Sequence, residues 1–159
     1  MLSGEGDSTL TATVTLTGGA AADTHTFTID TTPPAVAIAN PPMAGTTTGV
    51  DQPSINDTAE VGADVTVTLT DTGGATVEAQ SFPNVGGAWS LTPAPLADGS
   101  YDIEVVATDA AGNIATASSD ITIDTSLPTV AITSPASAGL ATQDVTPNIA
   151  GTAEAGTDV

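Results

Sequence analysis

The chain has 159 residues, a formal net charge of −19 and no lysine or arginine. A charge of this sign repels phosphate backbones and anionic lipids, which excludes nucleic-acid binding and direct membrane contact. The absence of cysteine excludes disulfides, thiolate metal ligands and a cysteine nucleophile, while the hydrophobic fraction of 40% is enough to build a core.

Composition favours an all-β fold. Thr, Ala, Val, Gly, Ser and Asp dominate, whereas the usual surface helix formers are scarce. No apolar run reaches the length of about 18 residues that a bilayer crossing needs. The first residues lack the basic and apolar regions of a signal peptide, so we expect any export signal to lie outside this sequence.

An internal repeat organises the chain. The segment Thr28–Ile38 returns as Thr122–Ile132, an offset of 94 residues (122 minus 28), and the offset holds without a gap to Val159. This period matches one small β-sandwich domain. We therefore predict that residues 1–30 are the C-terminal strands of a preceding repeat, that 31–124 form one complete domain, and that 125–159 are the truncated N-terminal strands of the next repeat.

Alternating apolar residues and turn residues predict the strands in chain order. Leu10–Thr17 is a strand of the N-terminal piece, followed by a turn at Thr17–Ala20. The complete domain has seven predicted strands, at residues 35–39, 54–59, 65–70, 76–82, 88–92, 101–108 and 114–123. Asp71–Gly74 is a predicted hairpin turn, and Trp89 and Leu91 are expected to face inward. Seven short strands in one repeat are typical of a Greek-key sandwich.

The chain is predicted not to be an enzyme. His25 is the single histidine, it lies in a Thr-rich strand, and Ser119 occupies the aligned position in the complete domain. Nothing marks two carboxylates as an acid–base pair. The aromatic residues Trp89, Tyr101 and Phe82 are expected to fill the core rather than to form a glycan-binding face.

Three segments resemble one known family. Leu96–Tyr101, Val105–Asn113 and Ile123–Thr125 are similar to the signature of bacterial Ig-like repeats in very large secreted adhesins, including biofilm-associated and RTX-type adhesins exported by type I secretion. The resemblance implies tandem immunoglobulin-like Greek-key β-sandwiches at the extracellular bacterial cell surface. Leu96–Tyr101 is also similar to the tyrosine corner of Ig-like folds, in which the phenol bonds to backbone.

In that family the repeats are passive extenders, commonly stiffened by calcium at domain junctions. The partners implied are neighbouring repeats of the same chain, and the adhesin ligand is bound elsewhere in the parent protein. A second function, from another class, is a ligand-binding Ig-like module that recognises host glycan or protein. A binding module predicts one divergent repeat with an exposed aromatic or apolar patch, whereas the in-register repeat here favours the extender.

Acidic residues are expected to gather at one end of the sandwich, where the incoming linker meets two loops. Calcium takes about six to eight oxygen ligands. The candidate metal ligands of the first junction are Asp30, Glu60, Asp64, Asp109 and Asn113. Those of the second junction are Asp124, Glu154 and Asp158, which recur in register, and Asp98 beside them. The alternative interpretation is that these residues only cap turns, as Asx side chains commonly do.

The linker between the first two pieces is short and rich in proline. Its residues 30–34 include Pro33 and Pro34, which fix φ twice and disfavour a helical Thr32. We therefore predict a semi-rigid spacer at this junction.

Overall fold

The computed structural model describes residues 7–15, 22–135, 139 and 141–155. Within these residues the chain forms eleven strands and no helix. The strands are β1 (Ser8–Thr15), β2 (Ala22–Ile29), β3 (Thr46–Thr48), β4 (Ile55–Thr58), β5 (Asp64–Asp71), β6 (Thr76–Phe82), β7 (Ala88–Leu91), β8 (Gly99–Thr108), β9 (Ile114–Ile123), β10 (Val130–Ser134) and β11 (Ala150–Ala153). Accordingly, the described part of the chain holds no helix with the length and apolarity of a membrane span. Backbone contacts divide the chain into two compact units, Met1–Asp124 and Thr125–Val159.

The first unit begins with an antiparallel hairpin of β1 and β2, in which Ser8 lies opposite Ile29 at the open end. Threonine alternates with other residues along both strands, so the two faces of the hairpin differ in polarity. The predicted strand Leu10–Thr17 is confirmed as far as Thr15. The predicted turn Thr17–Ala20 is not part of the described residues.

Two sheets enclose the core of the central domain. Five strands form one sheet in the order β3-β9-β8-β5-β6, with β3 parallel to β9 and the other pairs antiparallel. The second sheet pairs β4 with β7. Isolated bridges from Val36 to Ala59 and from Asn40 to Asn56 add the preceding segment to this second sheet. Sequence-distant strands therefore lie side by side, as Greek-key connections require.

Alternating residues of the facing strands build this core. The buried cluster comprises Ile55, Ala59, Val65, Val67, Leu69, Val85, Trp89, Leu91, Tyr101, Ile103, Val105, Ala107, Ile121 and Ile123. Trp89 and Leu91 are 4% and 1% exposed, which confirms their predicted inward orientation. Phe82 is half-buried and packs against the same cluster. Trp89, Tyr101 and Phe82 thus all belong to or pack against the core, as expected from the sequence.

Two elements differ from the predicted strands. The segment 35–39 makes isolated bridges and single hydrogen bonds rather than a continuous ladder, because the amides of Ala39 and Asn40 both donate to the oxygen of Asn56, so that two residues oppose one. Thr46–Thr48, which lies outside the seven predicted strands, forms β3 and pairs in parallel with the edge of β9. The predicted hairpin turn at Asp71–Gly74 is confirmed, and it places β6 next to β5 in the larger sheet.

The second unit repeats contacts of the first. β10 pairs with β11 through Val130 and Ala153, which are 94 residues beyond the bridged pair Val36 and Ala59. The amide of Ala35 donates to Glu60 Oε2 over 3.4 Å, and the amide of Thr129 donates to Glu154 Oε2 over 3.2 Å. The repeat period therefore extends from the sequence to individual hydrogen bonds.

Candidate metal centre at the Asp30 joint

The loop between β8 and β9 is closed by the carboxylate of Asp109. Asp109 Oδ1 accepts hydrogen bonds from the amides of Ala111 at 2.8 Å and Asn113 at 2.9 Å. Asp71 caps the β5–β6 turn in the same way, with its Oδ1 2.9 Å from the amides of both Gly73 and Ala75. Turn capping therefore accounts for one oxygen of Asp109.

The other oxygen of Asp109 takes part in a cluster that joins this loop to the linker. Asn113 Nδ2 donates to Asp109 Oδ2 at 2.8 Å, to the Asp30 main-chain oxygen at 3.2 Å and to Asp30 Oδ1 at 3.4 Å. Three oxygens from the linker and the loop thus converge on one nitrogen. We call this set of residues, together with Asp7 described next, the Asp30 joint.

Asp7 belongs to the joint although it was not among the predicted ligands. Thr32 donates through its hydroxyl to Asp7 Oδ1 at 2.9 Å and through its amide to Asp30 Oδ1 at 3.0 Å. Asp7 and Asp30 flank the Ser8–Ile29 pair of the hairpin, just as Asp98 and Asp124 flank the Gly99–Ile123 pair of β8 and β9. Asp7 is therefore the positional equivalent of Asp98.

The signal for Asp7 was present in the sequence but at another offset. Asp98 and Asp7 are 91 residues apart (98 minus 7), whereas the rest of the repeat has an offset of 94. The difference arises because the hairpin from Ser8 to Ile29 has 22 residues (29 minus 8, plus 1), whereas the equivalent stretch from Gly99 to Ile123 has 25 (123 minus 99, plus 1). Aligning the strand pairs rather than the linear sequence would have identified Asp7.

The pKa values of Asp30 and Asp109 in the joint are shifted in opposite directions. The amide of Thr32 lowers the pKa of Asp30, but desolvation and the nearby carboxylates of Asp7 and Asp109 outweigh it, so that pKa is raised above its ordinary value. The pKa of Asp109 is lowered, first by the side-chain amide of Asn113 and then by the backbone amides of its own loop, which outweigh desolvation. The surroundings therefore disfavour the ionised form of Asp30 and favour the ionised form of Asp109.

The remaining predicted ligands serve other backbone groups or lie elsewhere. Glu60 accepts from the amide of Ala35, and Asp64 accepts from the amide of Asn84 at 2.8 Å, so each carboxylate holds a local segment. Glu154 repeats the role of Glu60 in the second unit.

The structure describes three of the four ligands predicted for the second junction. Asp98 and Asp124 lie together at one end of the β8–β9 pair, while Asp158 is outside the described residues. Across the part of the chain that is described, no group of three or more Asp, Glu, His or Cys side chains is placed to hold a metal ion by itself. A cation at the Asp30 joint would accordingly need the backbone and amide oxygens as well.

Two further predictions concern single side chains. Tyr101 Oη donates to the main-chain oxygen of Ala97 at 2.9 Å, which confirms the predicted tyrosine corner. His25 is exposed on the hairpin, and its Nδ1 lies 3.6 Å from Asp23 Oδ1.

Comparison with known proteins assigns the chain to a family. Residues 43–125, more than half of the chain, match the bacterial Ig-like domain family, so the chain belongs to that family and the predicted all-β, Ig-like fold is confirmed. No curated protein matches the chain.

Comparison with solved structures gives two matches. A tetra-tandem repeat in the extending region of a large adhesion protein is 22% identical, with a TM-score of 0.51, over 80% of this chain and 34% of that one. The chain therefore spans about a third of that structure. CopC from Methylosinus trichosporium OB3b is 19% identical, with a TM-score of 0.45, over 56% of this chain and 90% of its own.

Proposed function

We propose that this chain is a structural extender of a bacterial cell-surface adhesin, in which tandem Ig-like domains lengthen an extracellular stalk. The observation that carries the proposal is the repetition of hydrogen bonds at an offset of 94 residues, seen in the pairs Ala35–Glu60 and Thr129–Glu154. Both pairs lie at the start of a repeat and fix the strand that follows the linker. The similarity in fold to a repeat from the extending region of a large adhesion protein supports the same role.

The Asp30 joint supports the view that successive repeats are held at a defined angle. It connects the end of the β1–β2 hairpin to the β8–β9 loop of the next domain through Asn113. The linker contains Pro33 and Pro34, which restrict its backbone. A short, restricted linker with a side-chain tie gives a stiffer joint than a linker alone.

We further propose that calcium stiffens this joint. The oxygens around Asn113 Nδ2 suit a hard cation, because two belong to carboxylates and one to a backbone carbonyl. The amide group now supplies the partial positive charge between them. A cation bound there would take over this role, with Asn113 offering its oxygen, and water completing the ligand set. Such a cation would also relieve the repulsion that raises the pKa of Asp30.

The extender proposal is tested with two copies of residues 31–124 joined in tandem. The joint between the copies then contains Asp98 and Asp124 of the first copy with Asp109 and Asn113 of the second. Small-angle X-ray scattering in calcium should give a longer and less variable particle than in chelator. An unchanged length and flexibility would contradict calcium stiffening, and a compact particle in both conditions would contradict the extender role itself.

A pair of variants separates joint binding from general charge. Asp109→Asn removes a proposed ligand, whereas Glu104→Gln removes one carboxylate from the exposed middle of β8. We expect the first variant to lose the calcium effect and the second to keep it. If both behave alike, calcium acts by screening the overall charge and not through the joint.

A further inference from the structure

β6 is the long free edge of the central domain. The five-stranded sheet ends at β3 on one side and at β6 on the other, and β3 has three residues whereas β6 has seven. In the second sheet β4 and β7 have four residues each. Among the described residues β6 pairs only with β5, so its outer side is open to another strand. An edge of this length is a template for pairing between chains.

The sequence of β6 suits such pairing except at one position. Thr76–Phe82 contains no proline or glycine, and β-branched or aromatic residues occupy three of its seven positions. Its single charged residue is Glu78. The strand lies inside residues 43–125, which match the family domain, so the open edge is a property of the domain itself.

Glu78 lies on the core-facing side of β6 although it is charged. It is directly opposite Leu69 of β5, which is fully buried. Phe82 is in the same row, opposite Val65, and packs against the core cluster. Glu78 is itself half-buried. An inward-pointing charge on an edge strand is one of the devices by which natural sheets avoid pairing edge to edge.

A bulge next to Glu78 shortens the regular part of this edge. Leu69 pairs with Glu78 and Thr70 pairs with Thr76, so Val77 has no partner of its own in β5. An extra residue of this kind bends the strand and increases its twist. The regular part of the edge therefore begins with Glu78, and any strand that pairs along it must accommodate this carboxylate.

We propose that Glu78 prevents the β6 edges of two copies of this chain from pairing with each other. A second strand beside β6 would cover Glu78, and removing an ionised carboxylate from water without a partner is strongly unfavourable. Another copy has no lysine or arginine to compensate for it, and it brings its own Glu78 to the same two-fold contact. This role goes beyond that of an extender, because it concerns contacts between chains and not the length of one chain.

Sedimentation velocity of the 159-residue chain over a wide concentration range, in chelator and at moderate salt, tests the proposal. Relative to the wild type at the same concentration, Glu78→Val should shift the average mass towards twice its value. Glu78→Thr should do so as well, because it removes the charge without adding a large apolar side chain. Glu104→Val is the matched control and should behave as the wild type, since β8 is flanked by β5 and β9 and has no free edge.

Two double variants restore the net charge and separate edge protection from general repulsion. Glu78→Val with Gln80→Glu returns a carboxylate to the core-facing row of β6, opposite Val67, and should sediment as the wild type does. Glu78→Val with Thr116→Glu places the carboxylate on the exposed face of β9 instead, and this variant should still associate. The two variants have the same composition of charge and differ only in where the carboxylate lies.

Amide hydrogen exchange in residues 76–82 locates the contact, since it should slow with concentration in Glu78→Val and not in the wild type. Trp89 is the single tryptophan, so its fluorescence verifies that the central domain of every variant is folded. The proposal is overturned if folded Glu78→Val and Glu78→Thr sediment as the wild type does, or if they associate without slower exchange in β6. Equal behaviour of the two double variants also overturns it. None of these results depends on the calcium effect measured by scattering.

Discussion

Asn113 Nδ2 lies 3.2 Å from the main-chain oxygen of Asp30, a residue 83 positions earlier in the sequence. The same nitrogen is 2.8 Å from Asp109 Oδ2, so one neutral amide is placed between two carboxylates. The chain contains no lysine or arginine that could serve instead. The joint therefore depends on an amide donor, and its response to charge can be tested directly.

Replacing this donor with a third carboxylate should destabilise the joint more than removing it. Asn113→Asp adds negative charge between Asp30 and Asp109, whereas Asn113→Ala only removes the hydrogen bonds. In chelator, thermal unfolding is expected to occur at the lowest temperature for Asn113→Asp and at the highest for the wild type. Calcium should raise the melting temperature of Asn113→Asp most, because the extra carboxylate is a calcium ligand.

The control is to compare the melting temperatures of the variants with and without calcium at constant ionic strength. If Asn113→Asp is as stable as the wild type in chelator, the carboxylates of the joint do not repel each other significantly. If calcium shifts Asn113→Ala and Asn113→Asp equally, the ion does not bind between these residues.

The two joint carboxylates should have opposite effects on pH-dependent stability. The pKa of Asp109 is lowered in the folded chain, so its ionised form stabilises the fold above pH 3.8, and this stabilisation is lost as the pH falls through the folded pKa. The pKa of Asp30 is raised, so its ionisation opposes folding above the folded pKa, and the penalty disappears as the pH falls through that pKa towards 3.8.

Asp109→Asn and Asp30→Asn remove the same charge and form a matched pair. In chelator at neutral pH we expect Asp109→Asn to lower the melting temperature and Asp30→Asn to raise it. Both differences should shrink at acidic pH, since a protonated carboxyl group and an amide are both neutral. A pH series of thermal unfolding measures this, and shifts of equal sign at neutral pH would contradict the assignment.

The alternation of apolar and polar residues predicted most of the strands, but it missed an element that has no such alternation. The clear period of two in β5 and β8 identified strands whose buried residues are now in the core. β3 was missed because Thr46–Thr48 has no alternation, and its pairing depends on the distant edge of β9. A three-residue parallel strand is defined by its tertiary partner and not by its own sequence.

The candidate site was predictable only in part for a similar reason. The expected Ig topology placed Asp30, Asp109 and Asn113 at one end of the sandwich, and the structure brings them together. For Glu60 and Asp64 the sequence indicated acidic loop residues but not which backbone amides they would accept from. That choice depends on loop paths of a few ångströms, which composition and spacing do not determine. The metal-ligand roles of all these residues stay predictions.

The tyrosine corner should contribute measurably to stability. Tyr101→Phe removes the hydroxyl that bonds to Ala97 and leaves the ring in the core. We expect a loss of about 1–2 kcal/mol in the free energy of unfolding, since the carbonyl loses a partly buried donor. Ser100→Ala is the control, because it removes a hydroxyl pair with Thr122 on the exposed face and should cost less than about 0.5 kcal/mol. Urea denaturation followed by Trp89 fluorescence distinguishes the two.

Ile55 and Ile149 occupy the same repeat position, but they should contribute very differently to stability. Ile55→Ala creates a cavity in the central core and should cost about 2–5 kcal/mol, because Ile55 is fully buried among the residues of both sheets. Ile149→Ala truncates a side chain that is 73% exposed, so denaturation of the central domain should shift by less than about 0.5 kcal/mol. Both are measured by urea denaturation followed through the fluorescence of Trp89. Equal costs would contradict the exposure of Ile149, and a negligible cost for Ile55→Ala would contradict the described core.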